Sequence, residues 1–208
     1  MNNPSIGSFS NVNVAAAVAS GDIQTLIKMV QSDRVKLMDA QLVEQVKAVQ
    51  ARNDQIAKLN DVLAGLNAYN TQISGKDSGD KPSDWGVDKI KQYEVPLNDA
   101  IQAAGITDLG FESRSGQRTP GPGESANGWG HVGVLTTGTA AVTGSTTKGE
   151  VETAITKIKG MIDAESNNQQ MDMLRLQSLN NKKNESVEIL TTTQKKHSDS
   201  TSGIIRNF

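Results

Sequence analysis

The stretch Gln169–Leu179, QQMDMLRLQSL, decides the fold expected for this chain. On a helical wheel at roughly 100° per residue, its large apolar residues fall at roughly 0°, 200°, 300°, 140° and 80°. These residues are Met171, Met173, Leu174, Leu176 and Leu179. One neighbouring helix covers a stripe of only about 100°. A helix with apolar residues on every side therefore needs more than one neighbour.

The helix that contains this stretch is predicted to begin near Lys148 and to continue to about Asp199. After the cap-like STTKGE, this segment has no proline and one glycine, Gly160,. Val187, Ile189 and Leu190 again spread around the wheel, and the ending SGIIRNF adds apolar residues with no local core to bury them. We therefore expect self-assembly through the following residues: Met171, Met173, Leu174, Leu176, Leu179, Val187, Ile189, Leu190, Ile204, Ile205 and Phe208.

A second long helix is predicted over residues 22–74, where apolar residues recur every seven positions. At 1.5 Å per residue it would be on the order of 75 to 80 Å long, so it needs an equally long partner. The C-terminal helix provides one, which predicts an antiparallel coiled-coil hairpin. Its intramolecular contacts are expected from Val35, Met38, Leu42, Val49, Ile56, Leu59, Leu63, Leu66, Val151, Ile155, Ile158 and Ile162.

The middle of the chain, residues 75–147, reads as an exposed inserted module, either small α/β or irregular. WGVDKIKQY and PLNDAIQAAGI fit two short helices, the second with Pro96 in its first position and Gly105 as its stop,. Residues 105–149 contain 11 of the 19 glycines, and HVGVLTTGTAAV could form a small hairpin or stay mobile,. Trp85, Tyr93 and Trp129 are expected to form a small satellite core beneath it. The predicted fold class is therefore mainly α, with the two terminal helices paired.

Composition excludes several classes of function. Only 36% of the 208 residues are hydrophobic and 3% aromatic, so the core is thin for the length,. The net charge of -2 predicts no attraction to nucleic acid, and no stretch is apolar enough to enter a membrane directly,. The absence of cysteine and the wide separation of His131 and His197 predict no metal site,.

The sequence also carries no constellation typical of an enzyme. GPGESA, residues 121–126, matches the letters of a dinucleotide fingerprint but lacks the preceding strand and following helix that the fingerprint requires,. We expect neither an active site nor a cofactor. Residues 1–21 have no charged side chain and are predicted to form a disordered arm, which could include an export signal,.

Three segments resemble a known family. Glu94–Ile106, EVPLNDAIQAAGI, Gln169–Ser186, QQMDMLRLQSLNNKKNES, and the Ile-Ile-Arg-Asn-Phe ending are similar to the filament-forming needle-tip proteins of bacterial type III secretion, a group that includes the EspA-like translocator filaments. The likeness extends weakly along the first helix and does not cover residues 107–147.

The resemblance implies a secreted structural subunit at the bacterial cell surface that polymerises on the secretion needle. It would extend the export channel towards the host cell and connect to the translocation pore. The implied partners are copies of itself, the needle, the translocator proteins and, before secretion, a cytoplasmic export chaperone. The resemblance also implies that Gln177, Asn180, Asn181 and Asn184 face the lumen or set the register of the helices.

An alternative remains open at this level. A monomeric or dimeric coiled-coil protein could dock its apolar C-terminal helix onto a chaperone or translocator without polymerising.

Overall fold

The computed structural model of the protein is mainly helical and describes residue 19, residues 23–123 and residues 135–206. Two long helices, α1 (Ile23–Asn70) and α4 (Lys148–Arg206), enclose the middle segment in sequence. That segment contains α2 (Val87–Lys89), a π-helical turn (Ile90–Glu94), α3 (Val95–Ala103) and the strands β1 (Arg114–Gln117) and β2 (Leu135–Gly138). Most of the predicted N-terminal arm, together with Trp129, His131 and Phe208, lies outside the described residues.

The chain divides into two compact units. The core unit consists of residues 49–171, and the two-helix unit consists of the described residues up to Ala48 and from Asp172 onward. In each unit α1 and α4 pack together.

The hydrophobic core of the core unit draws on α1, α4 and the middle segment. Its buried residues are Leu59, Val62, Leu66, Tyr69, Ile73, Leu97, Ile101, Ala104, Leu109, Phe111, Ala140, Val142, Val151, Ala154 and Ile158. Trp85 packs against this cluster, with its ring edge-on to that of Tyr69. Among the described residues, the apolar side chains of the middle segment are therefore buried together with the long helices and not in the separate satellite core that the sequence predicted. Trp85 does lie beside Tyr93, with ring centroids 6.2 Å apart.

The two short helices predicted in the middle segment form one continuous helical run. The run changes to π geometry over Ile90–Glu94, where the Val95 N–H reaches back five residues to the Ile90 carbonyl. Pro96 follows at once, and a proline offers no N–H to the carbonyl four residues before it. Val95, not Pro96, is the first residue of α3. Gly105 ends the helix as predicted, with a φ of +71° that favours glycine,.

The two strands form one small antiparallel sheet in which Arg114 pairs with Gly138 and Gln117 with Leu135. Asn98 of α3 is fully buried and forms hydrogen bonds to the backbone of β1 and of the segment after β2. Its Nδ2 donates to the carbonyls of Gln117 (2.7 Å) and Val142 (3.0 Å), and its Oδ1 accepts from the Val142 N–H (2.8 Å). One side chain thus satisfies three backbone groups of two other segments.

Helix α4 begins with a capping box. The Glu150 carboxylate accepts from the Thr147 N–H (2.8 Å) and hydroxyl (2.9 Å), while the Thr147 hydroxyl oxygen faces the Glu150 N–H,. Arg114 of β1 forms an ion pair with the same carboxylate at 2.9 Å. This arrangement fixes the start of α4 at the position that the sequence predicted.

In the two-helix unit, several polar contacts join α1 to α4. Asp39 forms an ion pair with Lys183 at 2.6 Å, and the Gln45 side-chain amide donates to the Asp172 carbonyl at 3.2 Å. The Ser186 hydroxyl lies 3.9 Å from the sulfur of Met38. Residue numbers therefore rise along α1 as they fall along α4.

The residues predicted for the intramolecular coiled coil lie in two groups. Five are buried: Met38, Leu59, Leu66, Val151 and Ile158. The other seven are half-buried: Val35, Leu42, Val49, Ile56, Leu63, Ile155 and Ile162. Of the two predicted rows of α1, the Met38–Leu59–Leu66 row is therefore more buried than the Val35 row that the sequence made most visible. The polar breaks in that row have partners, because Gln45 bonds to Asp172 and Arg52 forms an ion pair with Glu165 at 2.8 Å.

Candidate assembly surface

The two-helix unit exposes most of its large apolar side chains. On α1 these are Ile23, Ile27, Val30, Leu37, Val43 and Val46, and on α4 they are Met173, Leu174, Val187 and Ile189. Leu174 is the most exposed of the α4 group, at 65%. Among the described residues of this unit, Met38 is the one large hydrophobic side chain that is buried. We call these ten exposed residues the apolar surface of the two-helix unit.

Polar side chains occupy part of the seam between the two helices of this unit. The row of α4 that carries Val151 and Ile158 in the core unit continues at seven-residue spacing to Asp172, Leu179 and Ser186; the two polar residues are buried and Leu179 is half-buried. Opposite them, Gln45 reaches the Asp172 carbonyl. Burial of polar groups contributes little net stability, since hydrogen bonds to water are exchanged for bonds within the protein. The seam therefore mixes polar and half-buried apolar side chains, while ten large apolar side chains lie outside it.

Gln31 is a further polar group in this unit. Its Oε1 is buried, and within the described part of the chain it has no hydrogen-bond partner. A buried acceptor without a partner costs about 1 to 3 kcal/mol. The cost adds to the shortage of apolar burial in the same two helices.

The residues predicted for self-assembly occupy two environments. Met171, Met173, Leu174, Val187 and Ile189 are exposed, whereas Leu176, Leu179 and Leu190 are half-buried. The polar residues Gln177, Asn180, Asn181 and Asn184 are all exposed. Ile204 and Ile205 lie in α4, but their side chains, like the whole of Phe208, lie outside the described part. A single chain thus covers one side of α4 and leaves other apolar residues in solvent.

Sequence reasoning missed the apolar exterior of α1. Ile23, Val30 and Leu37 recur at seven-residue spacing, with Ile27 between them, on a row distinct from those that carry Val35 and Met38. The spacing is the signal that could have revealed it, because a second heptad row on one helix indicates a second helical neighbour. The Val35 row is more regular, so it dominates the sequence pattern and makes the Ile23 row harder to recognise.

A groove runs between α1 and α4 within the two-helix unit, with a volume of about 760 Å³. Leu37, Ala40, Gln41, Glu44, Gln45 and Ala48 line it from α1, and Arg175, Ser178, Leu179 and Lys182 line it from α4. Leu37 and Leu179 are its large apolar residues, and Glu44, Arg175 and Lys182 are its charged ones. Such a groove is a shape that an amphipathic helix can occupy.

Buried titratable groups in the core unit serve the fold. Glu94 accepts hydrogen bonds from the Trp85 indole N–H (2.7 Å) and the Gln117 N–H (3.1 Å), and its burial raises the pKa of its carboxyl group. Tyr69 donates to the carbonyls of Thr143 (2.6 Å) and Thr146 (3.1 Å), and burial raises the pKa of its hydroxyl. These groups connect segments of one core, so their positions suggest structural roles.

The described residues contain no cluster of three or more histidine, cysteine, aspartate or glutamate side chains that could hold a metal ion. In the same part of the chain, no helix is both long and apolar enough to cross a membrane.

Comparisons of the chain with protein-family models, with curated proteins and with solved structures give no match.

Proposed function

We propose that this chain is a structural subunit that polymerises into a filament. The observation that carries the proposal is the apolar surface of the two-helix unit, where ten large apolar side chains lie in solvent while the polar residues Asp172 and Ser186 are buried. Full burial of one Val or Leu side chain contributes about 1.5 to 3 kcal/mol. Covering several of them offsets the loss of translational and rotational freedom on association.

Copies of the same chain are the proposed cover. Apolar rows with helical spacing on both α1 and α4 favour additional helices as neighbours, and each new copy brings two. In the assembled state the two long helices form an antiparallel coiled-coil hairpin in the proposal. The opposite order of the Asp39–Lys183 and Gln45–Asp172 contacts supports this.

The specific filament we propose is the tip filament of a bacterial type III secretion system. It would be secreted, extend the needle channel at the cell surface and connect to the translocation pore. Its partners would be the needle, the translocators and, before export, a chaperone, with no enzymatic activity of its own. The resemblance of Glu94–Ile106 and Gln169–Ser186 to that family supports this part of the proposal. The second of these segments overlaps the apolar surface defined above.

Leu174→Asp tests the polymer. Leu174 is mostly exposed, so a charge there leaves the seam intact and acts only on what covers the surface. Leu176 and Leu190 are poorer choices, because they are half-buried and an aspartate there would also disturb the helix pair. We expect wild-type filaments by negative-stain electron microscopy and none from Leu174→Asp, with unchanged helical content by circular dichroism.

Asn168→Asp is the matched control, since it places the same charge at an exposed position of α4 within the core unit. It should form filaments as the wild type does. Filaments from Leu174→Asp, or their equal loss in both variants, would contradict a role for the apolar surface.

A second function, a helix-binding module that does not polymerise, is favoured by the groove between Leu37 and Leu179. A purified chain that stays monomeric at high concentration and binds one translocator or chaperone would support it.

A further inference from the structure

The groove of the two-helix unit has the spacing that a third helix requires. On α1 its wall includes Leu37, Gln41, Glu44 and Ala48, at intervals of four, three and four residues. On α4 its wall includes Arg175, Ser178 and Lys182, at intervals of three and four. These are the intervals at which one helix meets another in a coiled coil.

The charges on the α4 wall favour an acidic occupant. Arg175 and Lys182 belong to one seven-residue row and both line the groove, where Glu44 of the α1 wall is the one acidic residue of the lining. The Arg175 side chain is mostly exposed although it lies 3.4 Å from Asp172, and Lys182 is exposed. A helix that enters the groove with a carboxylate facing these two basic side chains would complement their positive charge.

A helix face that carries both apolar side chains and a carboxylate lies elsewhere on α4. Met173 and Val187 share one seven-residue row, and Leu174 shares the next row with Glu188. All four residues are exposed, and neither row lines the groove. The free flank, as we call Met173, Leu174, Val187 and Glu188, thus combines apolar side chains with a carboxylate.

Resting on the proposed function, we propose that the groove of one copy binds the free flank of α4 from a second copy, with Glu188 facing Lys182. The apolar side chains of the flank would cover Leu37 and Leu179. Because the two contacting surfaces are different, the contact is heterologous, and a copy that has filled its groove still offers its own flank. Such contacts produce an open head-to-tail array when the rotation does not close.

Charge reversal tests the pairing directly. Lys182→Glu and Glu188→Lys each place like charges at the contact, and each should raise the lowest concentration that supports assembly by about fivefold. Both positions are exposed, so circular dichroism should show unchanged helicity. An equimolar mixture should recover wild-type assembly, because an alternating array restores opposite charges at every contact. In that array the altered groove of one variant meets the altered flank of the other, and the remaining contacts join an unchanged Lys182 to an unchanged Glu188.

Assembly is measured by light scattering across concentration, with electron microscopy of the same samples. The four preparations are the wild type, the two single variants and their equimolar mixture. Wild-type assembly with loss in both single variants and recovery in the mixture supports the inference. Wild-type assembly that neither reversal alters, or loss without recovery in the mixture, overturns the pairing and leaves the filament proposal standing. A wild-type chain that never assembles, even where a partner helix fills the groove, overturns both.

Discussion

Glu94 combines a charge with almost complete burial, at 3% exposed. Its carboxylate connects three segments of the core unit, through the Trp85 indole, the Gln117 N–H and the backbone at Gly144. Burial raises the pKa of this carboxyl group because the charged form loses its water, and the hydrogen bonds oppose that effect,. Glu150 behaves in the opposite way. Its pKa is lowered from 4.5 to about 2, because bonds from Arg114 and Thr147 outweigh its desolvation.

The two carboxyl groups therefore predict opposite pH dependences of stability. Glu94 has a folded pKa above its unfolded value, so the stability linked to its proton is present at acidic pH and is lost as the pH rises through the folded pKa,. Glu150 has a folded pKa below its unfolded value, so its contribution is present above about pH 4.5 and is lost as the pH falls towards 2,.

Urea denaturation from pH 2.5 to 7 checks this prediction with Glu94→Gln and Glu150→Gln. Relative to wild type, Glu94→Gln should gain free energy of unfolding as the pH rises from about 4 towards neutrality. Relative to wild type, Glu150→Gln should show its largest deficit above pH 4.5 and a shrinking deficit below it. Parallel pH profiles for the three proteins would contradict the assignment.

At the scale of elements, the sequence predicted those helix boundaries that interactions between neighbouring residues determine. STTKGE predicted the start of α4 because a capping box acts over four residues, and Gly105 predicted the end of α3 because few other residues adopt its backbone angles. The seven-residue rows predicted the long helices, but not which row is most buried. Val62 and Tyr69 lie beside the expected seam and are buried because the middle segment covers a second side of α1.

The contribution of the middle segment to the core left no such signal. Leu97, Ile101, Leu109 and Phe111 are few and widely spaced, and they meet α1 and α4 across long sequence separations. Glycines in this region read as flexible loop, yet two serve close packing. A Cβ at Gly144 would lie 2.2 Å from the Trp85 ring, and one at Gly116 would lie 2.5 Å from the Asn98 amide. Periodicity contains no information about either contact.

Asn98→Asp tests how much a single residue of α3 holds this region together. The aspartate keeps the acceptor for the Val142 N–H, but it loses both donated hydrogen bonds and buries a charge. We expect the free energy of unfolding to fall by about 2 to 4 kcal/mol in urea at pH 7.

Gln102→Glu makes the same amide-to-acid change at an exposed position of the same helix. Its effect should stay within about 0.5 kcal/mol. A loss of similar size in both variants would mean that added charge on α3, and not the bonds of Asn98, sets the stability.

At the scale of the whole molecule, apolar burial is concentrated in one of the two units. All 15 residues of the hydrophobic cluster lie within the core unit, whereas the described part of the two-helix unit buries Met38. The sequence predicted that residues 171–190 lack cover, since their apolar residues surround the helix. It did not predict that Asp172 and Ser186 are the buried residues of α4 in this unit, because aspartate and serine are mostly exposed in proteins,.

This distribution predicts unequal protection of backbone amides in the monomer. Opening free energy follows the apolar contacts that a segment must break, and the two-helix unit has few of them to break. Amides of residues 23–48 and 172–199 should therefore exchange with deuterium faster than those of residues 49–70 and 151–171, although all lie in the same two helices.

If copies cover the apolar surface, assembly should raise the amide protection of the two-helix unit more than that of the core unit. Hydrogen exchange with mass spectrometry on monomer and polymer should show large gains of protection at 23–48 and 172–199 and small changes in the core unit. Leu174→Asp supplies the monomer at polymer-forming concentrations. Equal protection along both helices in that variant would mean that the contacts between α1 and α4 suffice to hold the two-helix unit. Protection gained mainly in the core unit on assembly would place the interface between copies there instead.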